Sequence, residues 1–195
     1  MQLLCARVAA EVSPEDYAIL TAVLKHGFGD ECQEIVIEEK SSGGSIALNT
    51  DERPMPAMAE LLGIRVELLL QWEKNNQEYE FLEEKFELPC DYHLFSAEQR
   101  STIFSAGDSA NADKPNGESL SPENGWQNFK KTFPESVGII RLAKPAIDNI
   151  NKEALAYVEF DCGPSCGSGR FVLLDKNVED KWRVSGGSLV WMATE

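Results

Sequence analysis

The last third of the chain constrains the fold most. Val137 to Leu142, Ala154 to Phe160, Phe171 to Leu174, Trp182 to Val184 and Leu189 to Trp191 are short runs rich in β-branched and aromatic residues, with turn formers between them. Such runs suit a pleated, half-buried backbone. They predict an antiparallel meander of four or five strands. A sheet of that kind must cover at least one face, and the preceding residues supply helices to do so. The expected fold class is α+β, with N-terminal helices packed on a C-terminal antiparallel β-meander, as a single domain over residues 1–195. The 195 residues are enough for a core, because ~150 residues already hide about 70% of their unfolded surface.

Ser13-Pro14-Glu15-Asp16 sets a capping side chain, a proline for the first helical position and two acids in the first turn, where the helix dipole favours negative charge. Tyr17, Leu20 and Leu24 follow at helical spacing and Gly27 and Gly29 supply a stop, so a helix is expected over 14–26. Glu34-Ile35-Val36-Ile37-Glu38 and Ser45-Ile46-Ala47-Leu48, separated by Ser41-Ser42-Gly43-Gly44, read as a hairpin. Leu62, Val66, Leu69 and Leu70 share one helical face that runs through Gly63, and Tyr79, Leu82 and Phe86 read as a second short helix before Pro89. Residues 106–125 are dominated by Gly, Ser, Asn, Asp and Pro, with Leu120 the only large aliphatic, which predicts a mobile loop. Trp126, Phe129 and Phe133 then repeat at helical spacing, with Pro134 as terminator and Trp126 as a core anchor.

Charge is the unusual part of the composition. The chain carries 18 Lys and Arg against 33 Asp and Glu, a net charge of −15. Residues 1–100 hold 8 basic and 20 acidic side chains, whereas residues 101–195 hold 10 and 13. A field of this sign repels phosphate backbones and anionic membranes, which argues against nucleic acid as a partner. Acidity of this degree serves solubility, and it also steers basic proteins toward a binding face. No apolar stretch approaches the ~20 residues of a membrane-spanning helix, so a soluble chain is expected. Met1-Gln2-Leu3-Leu4-Cys5-Ala6-Arg7 does not have the layout of an intact secretion signal.

The chemistry-bearing candidates centre on Cys162-Gly163-Pro164-Ser165-Cys166-Gly167-Ser168-Gly169, placed between two expected strands. Three residues between the cysteines let the sulfurs meet across a turn, so a Cys162–Cys166 disulfide is expected to fix the loop's shape. A redox-active pair would instead read Cys-x-x-Cys at a helix N-terminus. Cys90 and His93 can be drawn together with Cys162 and Cys166 as a tetrahedral Cys3His zinc site, provided the two halves meet in space. Cys162 or Cys166 with His26 or His93 would make a nucleophile and base, without any local signature for the pairing. Cys5, Cys32 and Cys90 read as small buried hydrophobes or incidental thiols, and a Cys32–Cys90 disulfide stays open without local support. The glycine-rich loop lacks the Gly-Lys-Ser/Thr ending of a phosphate cradle, and no cofactor is implied. Glu38-Glu39, Glu83-Glu84 and Glu179-Asp180 are adjacent carboxylates of the kind solvated surfaces carry.

Val12-Ser13-Pro14-Glu15-Asp16-Tyr17, Phe133-Pro134-Glu135-Ser136-Val137-Gly138-Ile139-Ile140, Ala154-Leu155-Ala156-Tyr157-Val158 through Cys162 to Gly169, Lys181-Trp182-Arg183-Val184 and Trp191 together give a pattern. In it the chain resembles a family of uncharacterised bacterial proteins whose members often carry an export signal. The resemblance implies a periplasmic or extracellular setting, in which a local disulfide is at home. Family members carry Ser-Arg and then Gly-Phe-Asn after the Gly-Ile-Ile strand, whereas this chain reads Ala143-Lys144-Pro145-Ala146-Ile147-Asp148.

These readings favour a non-enzymatic binding or protein-interaction domain whose acidic surface meets a basic protein, in the manner of an inhibitor or immunity protein. A thiol-dependent or hydrolytic enzyme centred on Cys162 and Cys166 is the alternative. A cone-shaped sheet that holds a small ligand is a third.

Overall fold

The computed structural model describes residues 12–29, 34–42, 55–105 and 122–193. Its first helix, α1 (Pro14–Phe28), forms where the local signals place it. The Asp16 amide donates to Ser13 Oγ and the Ser13 amide donates to Asp16 Oδ2, a reciprocal capping box that satisfies two orphan donors. At the other end the Gly29 N–H closes on the Lys25 carbonyl at 2.8 Å. Ile19, Leu20 and Leu24 are fully buried on the inner face. Each such side chain stabilises the fold by about 1.5–3 kcal/mol.

The sheet is mixed and has seven strands, where an antiparallel meander of four or five was expected. Strand β1 (Glu34–Glu38) lies between β2 (Asp91–Phe95) and β3 (Ser136–Leu142) and is parallel to both. Beyond β3 the order continues antiparallel through β5 (Glu153–Gly163), β6 (Cys166–Lys176) and β7 (Trp182–Met192). The short β4 (Ala146–Asp148) extends the line of β3 along β5. The meander is therefore real but forms half of the sheet. β1 is paired on both edges, by β2 and β3, and Ser45–Leu48, the other arm of the expected hairpin, lies outside the described residues. Trp182–Val184 and Leu189–Trp191 belong to one strand, which bulges against β6 and so stays continuous across Gly186 and Gly187.

Between β1 and β2 run α2 (Met55–Leu62) and α3 (Val66–Asn75). One helix through Gly63 was expected, but Gly63 sits at φ 65° and ends α2, a conformation that other residues adopt only with strain. The stretch from Tyr79 to Phe86 is not helical. The Ser41 amide donates to the Glu80 carbonyl and the Leu82 amide to the Glu39 carbonyl, so this segment pairs with the chain leaving β1. Between β2 and β3 lie α4 (Ala97–Ser105) and α5 (Pro122–Thr132). The start of α5 takes up the end of the expected loop 106–125, whose residues 106–121 lie outside the described residues.

Helices cover both faces. Side-chain alternation along each strand sends Ile35, Ile37, Ile140, Leu142, Ala154, Ala156, Val172 and Leu174 toward α1. On the opposite face α2 and α3 cover Ala143, Leu155, Tyr157 and Phe171, while α4 and α5 cover Val36, Phe95 and Ile139. Trp126 packs there against Phe104 and Phe129, as an anchor of that cluster.

Candidate functional site

Between the two helix pairs the sheet carries charge where its neighbours carry hydrocarbon. Arg141 stands opposite Glu159, Glu159 opposite Gly169, and Gly169 opposite Trp191. Glu38, opposite Phe95, is next in register after the Ile37 and Ile140 pair and so lies beside Arg141. The result is a polar rung across five strands. The Arg141 guanidinium reaches three carboxylates, with Nε 2.6 Å from Glu38, Nη1 3.2 Å from Glu159 and Nη2 2.6 Å from Asp161. Arg100, at the start of α4, takes the other oxygen of Glu38 at 2.9 Å. Burial alone would lower the Arg141 pKa, but Glu38, Asp161 and Glu159 outweigh it and hold the guanidinium above its ordinary value.

Two aromatic residues finish the rung. The Trp191 indole donates to the Tyr157 hydroxyl at 2.9 Å, and that hydroxyl donates to Glu159 at 3.1 Å. Burial, followed by the Glu159 charge, pushes the Tyr157 pKa up, so this phenol remains a neutral hydrogen-bond relay. Both groups lie over Gly169. Each rung carboxylate is thus already engaged, and the arrangement orders the sheet between its two helical covers.

The expected cysteine pair closes the hairpin directly beyond Asp161. Cys162 and Cys166 are at disulfide geometry with Cα atoms 5.0 Å apart. A five-residue ring of this kind is worth about 2 kcal/mol in the chain-entropy account. The drawn zinc set is not brought together. β1 and β3 separate β2 from β5, which puts Cys90 and His93 roughly 14 Å to the side at ~4.8 Å per strand. Zinc requires all four ligands within ~2.3 Å of one point. Cys90 is itself disulfide-bonded, a correction to its reading as an incidental thiol, and Cys32 lies outside the described residues. Neither Cys162 nor Cys166 is a free thiol that His26 or His93 would activate.

His93 belongs to a second neighbourhood, at the leading ends of the parallel strands. Its Nε2 lies 3.0 Å from Glu34 Oε1, and its ring packs on Phe133 with centroids 5.4 Å apart. Around it Glu34, Glu84, Asp91 and Glu135 line a depression of about 530 Å³. Glu34 Oε2 is buried there without a hydrogen-bond partner among the described residues. The described lining thus offers four carboxylates and one imidazole. Composition placed the acidity in the first half of the chain, but not that Glu135 from the second half would join it.

Sequence reasoning missed the rung as well. Arg141, Glu38, Glu159 and Asp161 were legible only as charged positions at or inside strand runs, a signal that becomes specific once register is known. Together the fold and site define an α+β protein with a mixed sheet, covered on both faces, with a disulfide-closed hairpin and an acidic hollow at one end. No known protein family, curated protein or solved structure matches the chain.

Proposed function

We propose that the chain is a non-enzymatic binding domain that meets a basic protein through its acidic surface, as an inhibitor or immunity protein does. The acidic depression carries this reading: Glu34, Glu84, Asp91 and Glu135 converge around His93, and Glu34 keeps a buried oxygen without a partner among the described residues. A lysine or arginine side chain from a partner would supply the missing donors and offset the crowded negative charge. The rung supports the same reading from the other side, because its acids are already bound by Arg141 and Arg100. The disulfide pair and the bonded Cys90 fit an oxidising compartment, in keeping with the resemblance to often exported bacterial proteins.

A second reading has one observation in its favour. A groove of about 1000 Å³ runs between α1 and β7, lined by Tyr17, Thr21, Lys25, Lys176, Trp182 and Val184 among others, and suits a small ligand. Capture on the immobilised protein from native lysate at low salt separates the two. The binding-domain reading expects one stoichiometric basic protein, released at high salt and lost with the double variant Glu84→Lys/Glu135→Lys. Capture that ignores both salt and charge reversal would sink it. A lysate that yields no protein partner would favour the groove.

A further inference from the structure

We propose that the Cys162–Cys166 disulfide is a redox latch: closed, it holds Asp161 against Arg141, and opened by a thiol reductant, it releases the hairpin tip while the rest of the sheet stays folded. The register carries this inference. Asp161 pairs with Gly167 and Gly163 pairs with Cys166, so Cys162 is the extra residue of a bulge with nothing opposite it. The disulfide ties that bulged residue to the facing strand. A bulge decides the face to which the adjoining side chains point, because strand side chains alternate. Asp161, next to the bulge, is the carboxylate that closes on Arg141 Nη2 at 2.6 Å. Asp161 is the last residue of the regular ladder, paired with Ile139 and Gly167, so the crosslink sits one residue from that ion pair, at the point where the regular pairing ends.

Reach and selectivity follow from burial. Cys166 is exposed, as are Pro164 and Ser165, so a reductant gains its sulfur without unfolding the sheet. Cys90 is half-buried, which makes its disulfide an internal reference. The ring closed by the tip disulfide is small, so its opening returns little entropy to the unfolded chain and leaves the long β5–β6 pairing in place. In the step itself a thiolate of a dithiol attacks Cys166 Sγ, the sulfur–sulfur bond breaks and Cys162 leaves as a thiolate that takes up a proton. The second thiol of the reagent then displaces Cys166, which is protonated in turn, and the reagent departs as its disulfide. Two electrons and two protons have passed to the protein. Arg141 keeps Glu38 and Glu159 but loses its third carboxylate.

The test treats the full chain with dithiothreitol, alkylates at intervals and follows amide hydrogen exchange. We expect Cys162 and Cys166 to be alkylated at least about tenfold faster than Cys90, and amides of 158–169 to exchange about tenfold faster while α1 and β1 are unchanged. Asp161→Asn in the oxidised protein should loosen the same rung residues without reductant. The Cys162→Ser/Cys166→Ser variant should show the opened exchange pattern permanently. An opened disulfide with unchanged exchange at 158–169 would make the bond a passive staple and overturn the latch. So would release of Cys162 and Cys166 only together with Cys90 and global unfolding.

Discussion

At Gly169 the missing side chain makes room for the Tyr157 hydroxyl and the Trp191 indole, which both lie where a Cβ would stand. Neither can retreat cheaply: Tyr157 is fully buried, and each holds the other by a hydrogen bond. Gly169→Ala should therefore cost about 1–3 kcal/mol, read as a lowered denaturation midpoint with altered tryptophan emission. An unchanged midpoint would mean that the rung repacks freely. The cysteines of this loop were legible from spacing because a turn brings neighbours in sequence together. The glycine's partner was not, since Trp191 reaches it only across the β6–β7 register.

The turn between β4 and β5 is tied to the helix layer through one side chain. Asp148 accepts from Asn151 Nδ2 at 2.7 Å and from the amides of Ile150 and Asn151 at 2.9 and 3.1 Å, and it pairs with Arg65 between α2 and α3. These contacts, the Asn151 side chain first, hold its carboxyl well below the usual range. A carboxylate with a lowered folded pKa stabilises fully above its unfolded value of about 4 and progressively less as pH falls below that. Asp148→Asn should thus be less stable than the parent at neutral pH, with the gap closing on acidification below about pH 4; a pH-independent gap would refute the linkage. Elements with strong local signals were the ones the sequence disclosed. α1 has its capping box, and the long strands of the second half carry aromatic and aliphatic runs set off by turn formers. β2 escaped because it is short and only Phe95 is fully buried, and α4 because it has little apolar periodicity. From Tyr79 to Phe86, helical spacing misled because backbone pairing with residues 39–41 overrides it.

At the scale of the whole fold, β3 is, among the described residues, the one strand shared by a parallel half and an antiparallel half, and Arg141 stands on it. Removing that guanidinium leaves the half-buried Asp161 without this ion pair, while Glu159 keeps the Tyr157 hydroxyl and Glu38 keeps Arg100. Arg141→Ala should cost about 1–3 kcal/mol, between the loss of one partner from a buried ion pair and the loss of an exposed one. Lys181→Ala, which removes an exposed pair with Glu179, should cost less than about 1 kcal/mol in the same denaturation series. Equal effects would show that the rung is no more than surface charge. The packing of α1 on β5 and β7 has a consequence for biosynthesis. The earliest described helix needs the latest strands before its apolar face is fully covered, so a chain growing from the ribosome leaves the cover of Ile19, Leu20 and Leu24 incomplete until β7 has emerged. Its folding is then completed after translation of this segment, and chaperones have that interval in which to hold it.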